Sequence, residues 1–189
     1  AKVFYLKELR IYSKIDEIYD DLKEKSRYYD FLLVYMKRWK IEFRRLLDII
    51  YPGFDRVYDD LYGDFIQAFL LEYSHPEIIR KRRLDTIAKF LEKHTCHKEA
   101  YCIRQAQTLK EYAENCASGC SSKSYLVRQF DTVIHNLNAQ IKHLEIVLEE
   151  IVELAKALPN YDSIRSIPGI GNNLAARILA EIGDIERFN

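Results

Sequence analysis

Residues 167–171 read Ile-Pro-Gly-Ile-Gly and run directly into Asn172-Asn173-Leu174-Ala175-Ala176. Glycines two positions apart permit positive φ and leave no side chain between the backbone and a ligand. A helix that begins straight after such a turn presents free N–H groups and the positive end of its dipole, which together suit an anionic phosphate. The candidate phosphate-binding residues are therefore Gly169, Ile170, Gly171, Asn172 and Asn173, with Arg177 on the following helix. Ile164 and Ile167 are apolar on a short preceding helix, and Ile170 is expected to bury itself and anchor the turn. Leu174, Ala175, Ile178, Leu179 and Ile182 form the expected packing face of the second helix, with Ala175 and Ala176 allowing close approach. The alternative is a tight helix–helix corner that holds no ligand.

A second candidate is the run Arg80-Lys81-Arg82-Arg83. Consecutive cations on a helix spread over all its faces, so some must meet solvent, where they can make counterion-releasing phosphate contacts. Against this stands a solvated face paired with Glu77 or Asp85. Other constellations are weaker. His94, Cys96, His97, Cys102, Cys116 and Cys120 lack the paired spacing of a tetrahedral zinc site, and reduced thiols are the expected state. The fourteen tyrosines can stack single-stranded bases, but those in heptad flanks more simply pack their rings and wet their hydroxyls. Asp55, Asp59, Asp60 and Asp64 read as a solvated acidic segment spread around a helix rather than as a carboxylate metal site.

The elements that must position these residues are helical. The 189 residues include only six glycines and four prolines, too few for the turns of an all-β fold. Stretches 1–51, 77–118 and 120–158 contain neither type. In the first, Ile11, Ile15, Ile18, Leu22, Lys25, Tyr29, Leu32, Met36, Trp39, Phe43, Leu46 and Ile50 alternate steps of four and three. That is a heptad repeat, which keeps one seam facing a partner. At 1.5 Å per residue its forty positions would span roughly 60 Å, as a projecting arm. Ile134, Leu137, Ile141, Leu144, Leu148, Ile151, Ala155 and Leu158 repeat the device. An antiparallel coiled coil follows, within the chain, between chains or both. Apolar Phe31, Leu33, Val34, Leu47 and Ile49 flank the first seam and suggest more than one partner helix. Between the arms, Ser74 to Glu77 reads as a capping box with Pro76 in the first turn. Ile78, Ile79, Leu84, Ile87, Ala88 and Leu91 give that helix its apolar side, and a second helix runs from about 98 to 117 as part of a small tip. The expected fold is all-α, with 1–158 as a helical insertion and 159–189 as the start of another domain.

Charge is balanced overall, with 29 basic and 29 acidic residues, which excludes a uniformly basic binder. The balance is a cancellation. Residues 51–78 carry one cation against six acids, while 79–130 carry eleven against five. No apolar run approaches the ~18 residues needed to span a bilayer, and no signal segment opens the chain. The chain reads as a piece of something longer.

The Pro-Gly-hydrophobic-Gly turn with its small residue four positions on resembles the helix-hairpin-helix motif, whose turn amides bind the DNA backbone without reading sequence. Asn172 and Asn173 stand where that motif often has a cation. The wider string, from Leu158 through Ile164-x-x-Ile167-Pro-Gly-Ile-Gly to Leu179-Ala-Glu-Ile-Gly-Asp184-Ile-Glu-Arg-Phe188, resembles the opening of the C-terminal domain in Piv-type transposases and pilin-gene inverting recombinases. The resemblance is specific over about 158–189 and looser over the helical remainder, including Leu6, Leu9 and Arg10. It implies DNA recombination by a RuvC-like domain with four acidic residues, expected to use a divalent metal such as Mg, and by a C-terminal serine. It also implies a bacterial or archaeal cytoplasmic setting, DNA as partner, and in some members a structured RNA guide. Neither catalytic set falls within 1–189, and Ser163 and Ser166 precede the motif, so no activity and no cofactor are expected of this segment. A different class, an architectural coiled-coil dimerisation module without nucleic-acid contact, remains the rival. An independent helix-hairpin-helix repair factor would need a second such motif, and none is visible.

Overall fold

The computed structural model describes residues 14–184. Among them are eight α-helices, one 3-10 turn and no strand. The helices are α1 (Lys14–Ile50), α2 (Asp64–Glu72), α3 (Pro76–Lys81), α4 (Leu84–His94), α5 (Glu99–Asn115), α6 (Tyr125–Lys156), α7 (Tyr161–Arg165) and α8 (Asn172–Ile182), with the 3-10 turn at Phe54–Arg56. Ile11, Leu6, Leu9, Arg10 and the 185–189 end of the motif string lie outside the described residues. The all-α expectation holds, and α1 and α6 carry the two heptad series. The described residues divide into two compact units, one of residues 14–35 with 141–184, the other of residues 36–140.

In the first unit, the start of α1 packs antiparallel against the end of α6. Lys25 Nζ meets Glu150 at 2.7 Å, and the Tyr28 and His143 rings lie 5.9 Å apart. The one polar position in the heptad series thus finds an acid on the facing helix. Leu22, Leu32, Leu144 and Ile151 are buried, as the seam requires, whereas Ile18, Ile141 and Leu148 are half-buried and Ile15 is 52% exposed. Burial also extends off the seam to Tyr19 and Ser26 on α1 and to Val147 and Val152 on α6. That breadth accommodates α7 and α8, through Tyr161, Ile164, Ala175, Ala176, Leu179 and Ala180.

In the second unit the same two helices continue antiparallel. The Phe43 and Phe130 rings pack tilted at 5.3 Å, and Gln129 Nε2 donates to Glu42 at 2.8 Å. Leu46, Leu47, Ile50, Ile134 and Leu137 are sealed from water, with Met36 and Trp39 half-buried. An aromatic core grows from the end of α1: Tyr51 on Phe54 at 5.4 Å, Phe54 on Phe69 at 6.2 Å, and Phe69 on Tyr73 at 4.9 Å. Buried tyrosine hydroxyls need partners. Tyr51 donates to the Tyr73 carbonyl, and Tyr112 to that of Pro52 at 3.1 Å.

The start of α3 corrects one expectation. Its N-cap is His75, not Ser74. His75 is buried; its Nδ1 accepts the Glu77 amide at 3.2 Å, which leaves Nε2–H to donate to the Cys120 carbonyl at 3.0 Å. An imidazole can bond in both directions at once, which a serine hydroxyl at position 74 could not do across this distance. Glu77, freed from a capping box, instead accepts from Ser122 Oγ at 2.6 Å. The acidic stretch is corrected too. It is no continuous helix: Asp55 sits in the 3-10 turn and pairs with Arg44 at 2.7 Å, and Asp60 accepts the amides of Tyr62 and Gly63.

Candidate nucleic-acid interface

The hairpin forms as its residue types demand. Tyr161 and Ile164 anchor α7, and the Ser166 and Ile167 amides close its last turn on Asp162 and Ile164. Gly169 then takes φ +88°, a region an L side chain resists. The Ile170 amide bonds back to the Ile167 carbonyl at 3.1 Å, and the Ala175 amide opens the α8 ladder on Gly171 at 2.9 Å. Between these bonds, the amides of Gly171, Asn172 and Asn173 find no partner among the described residues, as the first turn of a helix without a side-chain cap leaves them. A methyl built on Gly169 or Gly171 would meet nothing within 4 Å. The backbone here is therefore open to an approaching anion.

Two hairpin expectations change. Ile170 is half-buried rather than sealed, and Ile167 is exposed. The packing face of α8 is Ala175, Ala176, Leu179 and Ala180, whereas Leu174 and Ile182 are about half exposed and Ile178 half-buried. Small alanines let the backbone of α8 sit close to its neighbours, and this rotates the larger residues outward. Arg177 is engaged inside its own unit: Nη2 donates to Asp30 at 2.5 Å, and the guanidinium lies 5.1 Å over the Tyr29 ring. These contacts tie α8 to α1.

The basic run is not one helix. Arg82 and Arg83 are extended, with ψ 148° and 146°, and break the chain between α3 and α4. The break separates the four cations by role. Arg80 turns inward along the fold, donating to the Ala113 and Cys116 carbonyls at 2.5 and 2.7 Å. These are carbonyls at the end of α5, where a cation complements the helix dipole. Lys110 on α5 reciprocates onto the Arg80 and Arg82 carbonyls at 3.2 and 2.6 Å. Lys81, Arg82 and Arg83 face solvent and make only loose or local pairs, with Glu77 at 4.0 Å, Glu72 at 3.9 Å and Asp85 at 3.2 Å. Exposed pairs of this kind are worth little. Among the described residues no three His, Cys, Asp or Glu side chains gather to hold a metal ion.

One feature of the second unit had no signal in the sequence pattern. A partly enclosed cleft of about 220 Å³ opens between Tyr58, Phe65 on α2, Leu91 on α4, and Tyr101 and Gln105 on α5. Its residues come from four separate elements, so no spacing rule brings them together.

Comparison with known proteins adds one match. Residues 161–189 fit the family model described as Transposase IS116/IS110/IS902 family. No curated protein matches the chain, and no solved structure does.

Proposed function

From a chain whose C-terminal end carries the IS116/IS110/IS902 transposase family domain, we propose a segment that grips the phosphodiester backbone of DNA during transposition. The observation that carries this is the open turn at Gly169–Asn173, with unpartnered amides and no side chain in front of them, lying inside the matched residues. A phosphate oxygen placed there would accept from the amides of Gly171, Asn172 and Asn173 and be held by the α8 dipole. Lys81, Arg82 and Arg83 would hold backbone phosphates at a second point through charge alone, reading no sequence. The residues that break phosphodiester bonds would belong to other parts of the transposase, in a metal-dependent RuvC-like domain, and the setting would be the cytoplasm. Among the described residues no helix is long and apolar enough to cross a membrane.

Subunit assembly through the helical region is the second half of the proposal. Most of the heptad residues are occupied within the chain, but Ile15, Phe31, Val34 and Ile41 on α1 and Ile146 on α6 remain exposed. Light scattering is expected to give a mass above that of one chain; a strict monomer removes this half.

Anisotropy with fluorescent duplex DNA tests the first half. Binding should be measurable at ~50 mM salt and fall steeply by ~200 mM, as counterion release demands. A structured RNA serves as the competing probe. Absence of binding to either at ~50 mM salt would leave the architectural coiled-coil reading in its place.

A further inference from the structure

The cleft in the second unit has features that neither the hairpin nor the basic run explains. Its walls are aromatic. Tyr58 and Phe65 meet edge to face at 5.7 Å, and on the other side the His97 and Tyr101 rings lie 4.3 Å apart. Its volume of about 220 Å³ falls below the ~300 Å³ at which pockets begin to hold drug-sized ligands. It has room for a single small ring system. Thr95 Oγ1 is spent on the Leu91 carbonyl at 2.8 Å, but neither the Tyr58 hydroxyl nor the Gln105 amide has a hydrogen-bond partner among the described residues. Burial raises the Tyr58 pKa to about 12, so its hydroxyl stays a neutral donor. A purely apolar ligand would leave these groups unsatisfied. An anion would find no Lys or Arg among the lining residues.

The surroundings supply charge instead. Residues 89–105 hold Lys89, Lys93, Lys98 and Arg104 against Glu92 and Glu99. Lys98 is the N-cap of α5, one turn before Tyr101, so it stands at the end of the helix that carries Tyr101 and Gln105. None of these cations has an ion pair among the described residues. A planar ring between aromatic walls, polar atoms at its edge and cations flanking it are the requirements of a splayed-out base on its sugar-phosphate strand.

We propose that the cleft between Tyr58, Phe65, His97, Tyr101 and Gln105 takes one unstacked nucleobase from a single-stranded nucleic acid. The base stacks on Tyr101 and offers its edge to Gln105 and Tyr58, while Lys98 and Arg104 meet the adjoining phosphates. This rests on the nucleic-acid reading above and adds to it a single-stranded segment as ligand.

The test measures binding of the full chain to three fluorescent strands of equal length: oligodeoxyadenylate, oligoadenylate and an abasic deoxyribose-phosphate strand. Tyr101→Ala and Gln105→Leu are compared with the parent. Tyr101 is 39% exposed, and Gln105→Leu keeps its bulk, so both variants should retain the parental circular dichroism and melting point. The expected result is about tenfold weaker binding of base-bearing strands by Tyr101→Ala, a smaller loss for Gln105→Leu, and unchanged binding of the abasic strand. The two base-bearing arms distinguish DNA from RNA as the source. Equal losses on all three strands, no loss on any, or a parent that binds duplex but no single strand would overturn the base site without touching the duplex-binding reading it rests on. If the parent binds no strand and no duplex, both this proposal and the one it rests on fall.

Discussion

Gly169 and Gly171 stand two residues apart in the turn and do different things. Gly169 has φ +88°, so its lack of a side chain is a conformational requirement; Gly171, at φ −84°, has an ordinary backbone. Gly169→Ala is therefore expected to cost roughly 1–2 kcal/mol through left-handed strain. Gly171→Ala should leave stability within about 0.5 kcal/mol yet weaken DNA binding, because it adds a side chain to the open turn that carries the free amides. Thermal melts and anisotropy on the pair separate these effects, and full affinity in Gly171→Ala would remove the amide contact. The basic run divides in the same way. Arg80→Ala strips two carbonyls at the α5 end of charged donors and should destabilise by about 1–3 kcal/mol. Arg83→Ala, at an exposed pair, should stay within about 0.5 kcal/mol. The residue types raise the expectation of phosphate contact at both places. Which cation was free did not show, because Arg80's partners lie more than thirty positions away.

At the scale of elements, α1 and α6 follow the heptad reading where the seam meets the facing helix. Leu137 is fully buried in it, so Leu137→Ala should cost roughly 2–5 kcal/mol in urea denaturation. Ile15, exposed on the same series, should tolerate alanine within about 0.5 kcal/mol. Periodicity located both helices because an a/d pattern is local to one element. It did not locate the break at Arg82–Arg83, where the chain turns so that α3 and α4 can each pack on α5. Nor did it orient α8, whose alanines rather than its isoleucines face inward. Asp131 on α6 has a half-buried carboxyl whose Oδ1 is without a partner, and burial raises its pKa. Asp131→Asn should accordingly raise the urea midpoint at neutral pH, where the parent must keep a charge in poor solvation.

Across the whole molecule, ionised carboxylates hold elements together at several points. The Arg45 hydrogen bond depresses Glu42, the Arg44 hydrogen bond depresses Asp55, and the Ser122 hydroxyl depresses Glu77. A folded pKa below the unfolded one means the unfolded chain binds protons first. Stability from these groups is present above their ordinary range near 4 and is lost as pH falls through the depressed values. Urea midpoints taken from about pH 6 to about pH 3 should decline, and less so in a Glu77→Gln, Asp55→Asn double variant. Overall neutrality, meanwhile, does not set the salt response. Replacing Lys81, Arg82 and Arg83 together by alanine should reduce the slope of log affinity on log salt by about three. Replacing exposed Lys23, Lys37 and Lys142 changes net charge equally and should shift the slope far less. Equal effects from the two triples would reduce the contact to net charge.

The amino-acid sequence by itself determined the all-α fold, the two heptad helices, the tight turn and the charge cancellation. Each is set by composition, by a repeat of three and four, or by a glycine in one place. Tertiary structure alone decided that Arg80 caps α5, that His75 ties α3 to the 116–124 connection, that Arg177 belongs to Asp30 and Tyr29, and that Tyr58, Phe65 and Tyr101 share a cleft. These depend on side chains far apart in the chain. Their meeting is fixed by how whole helices pack, which no local pattern encodes.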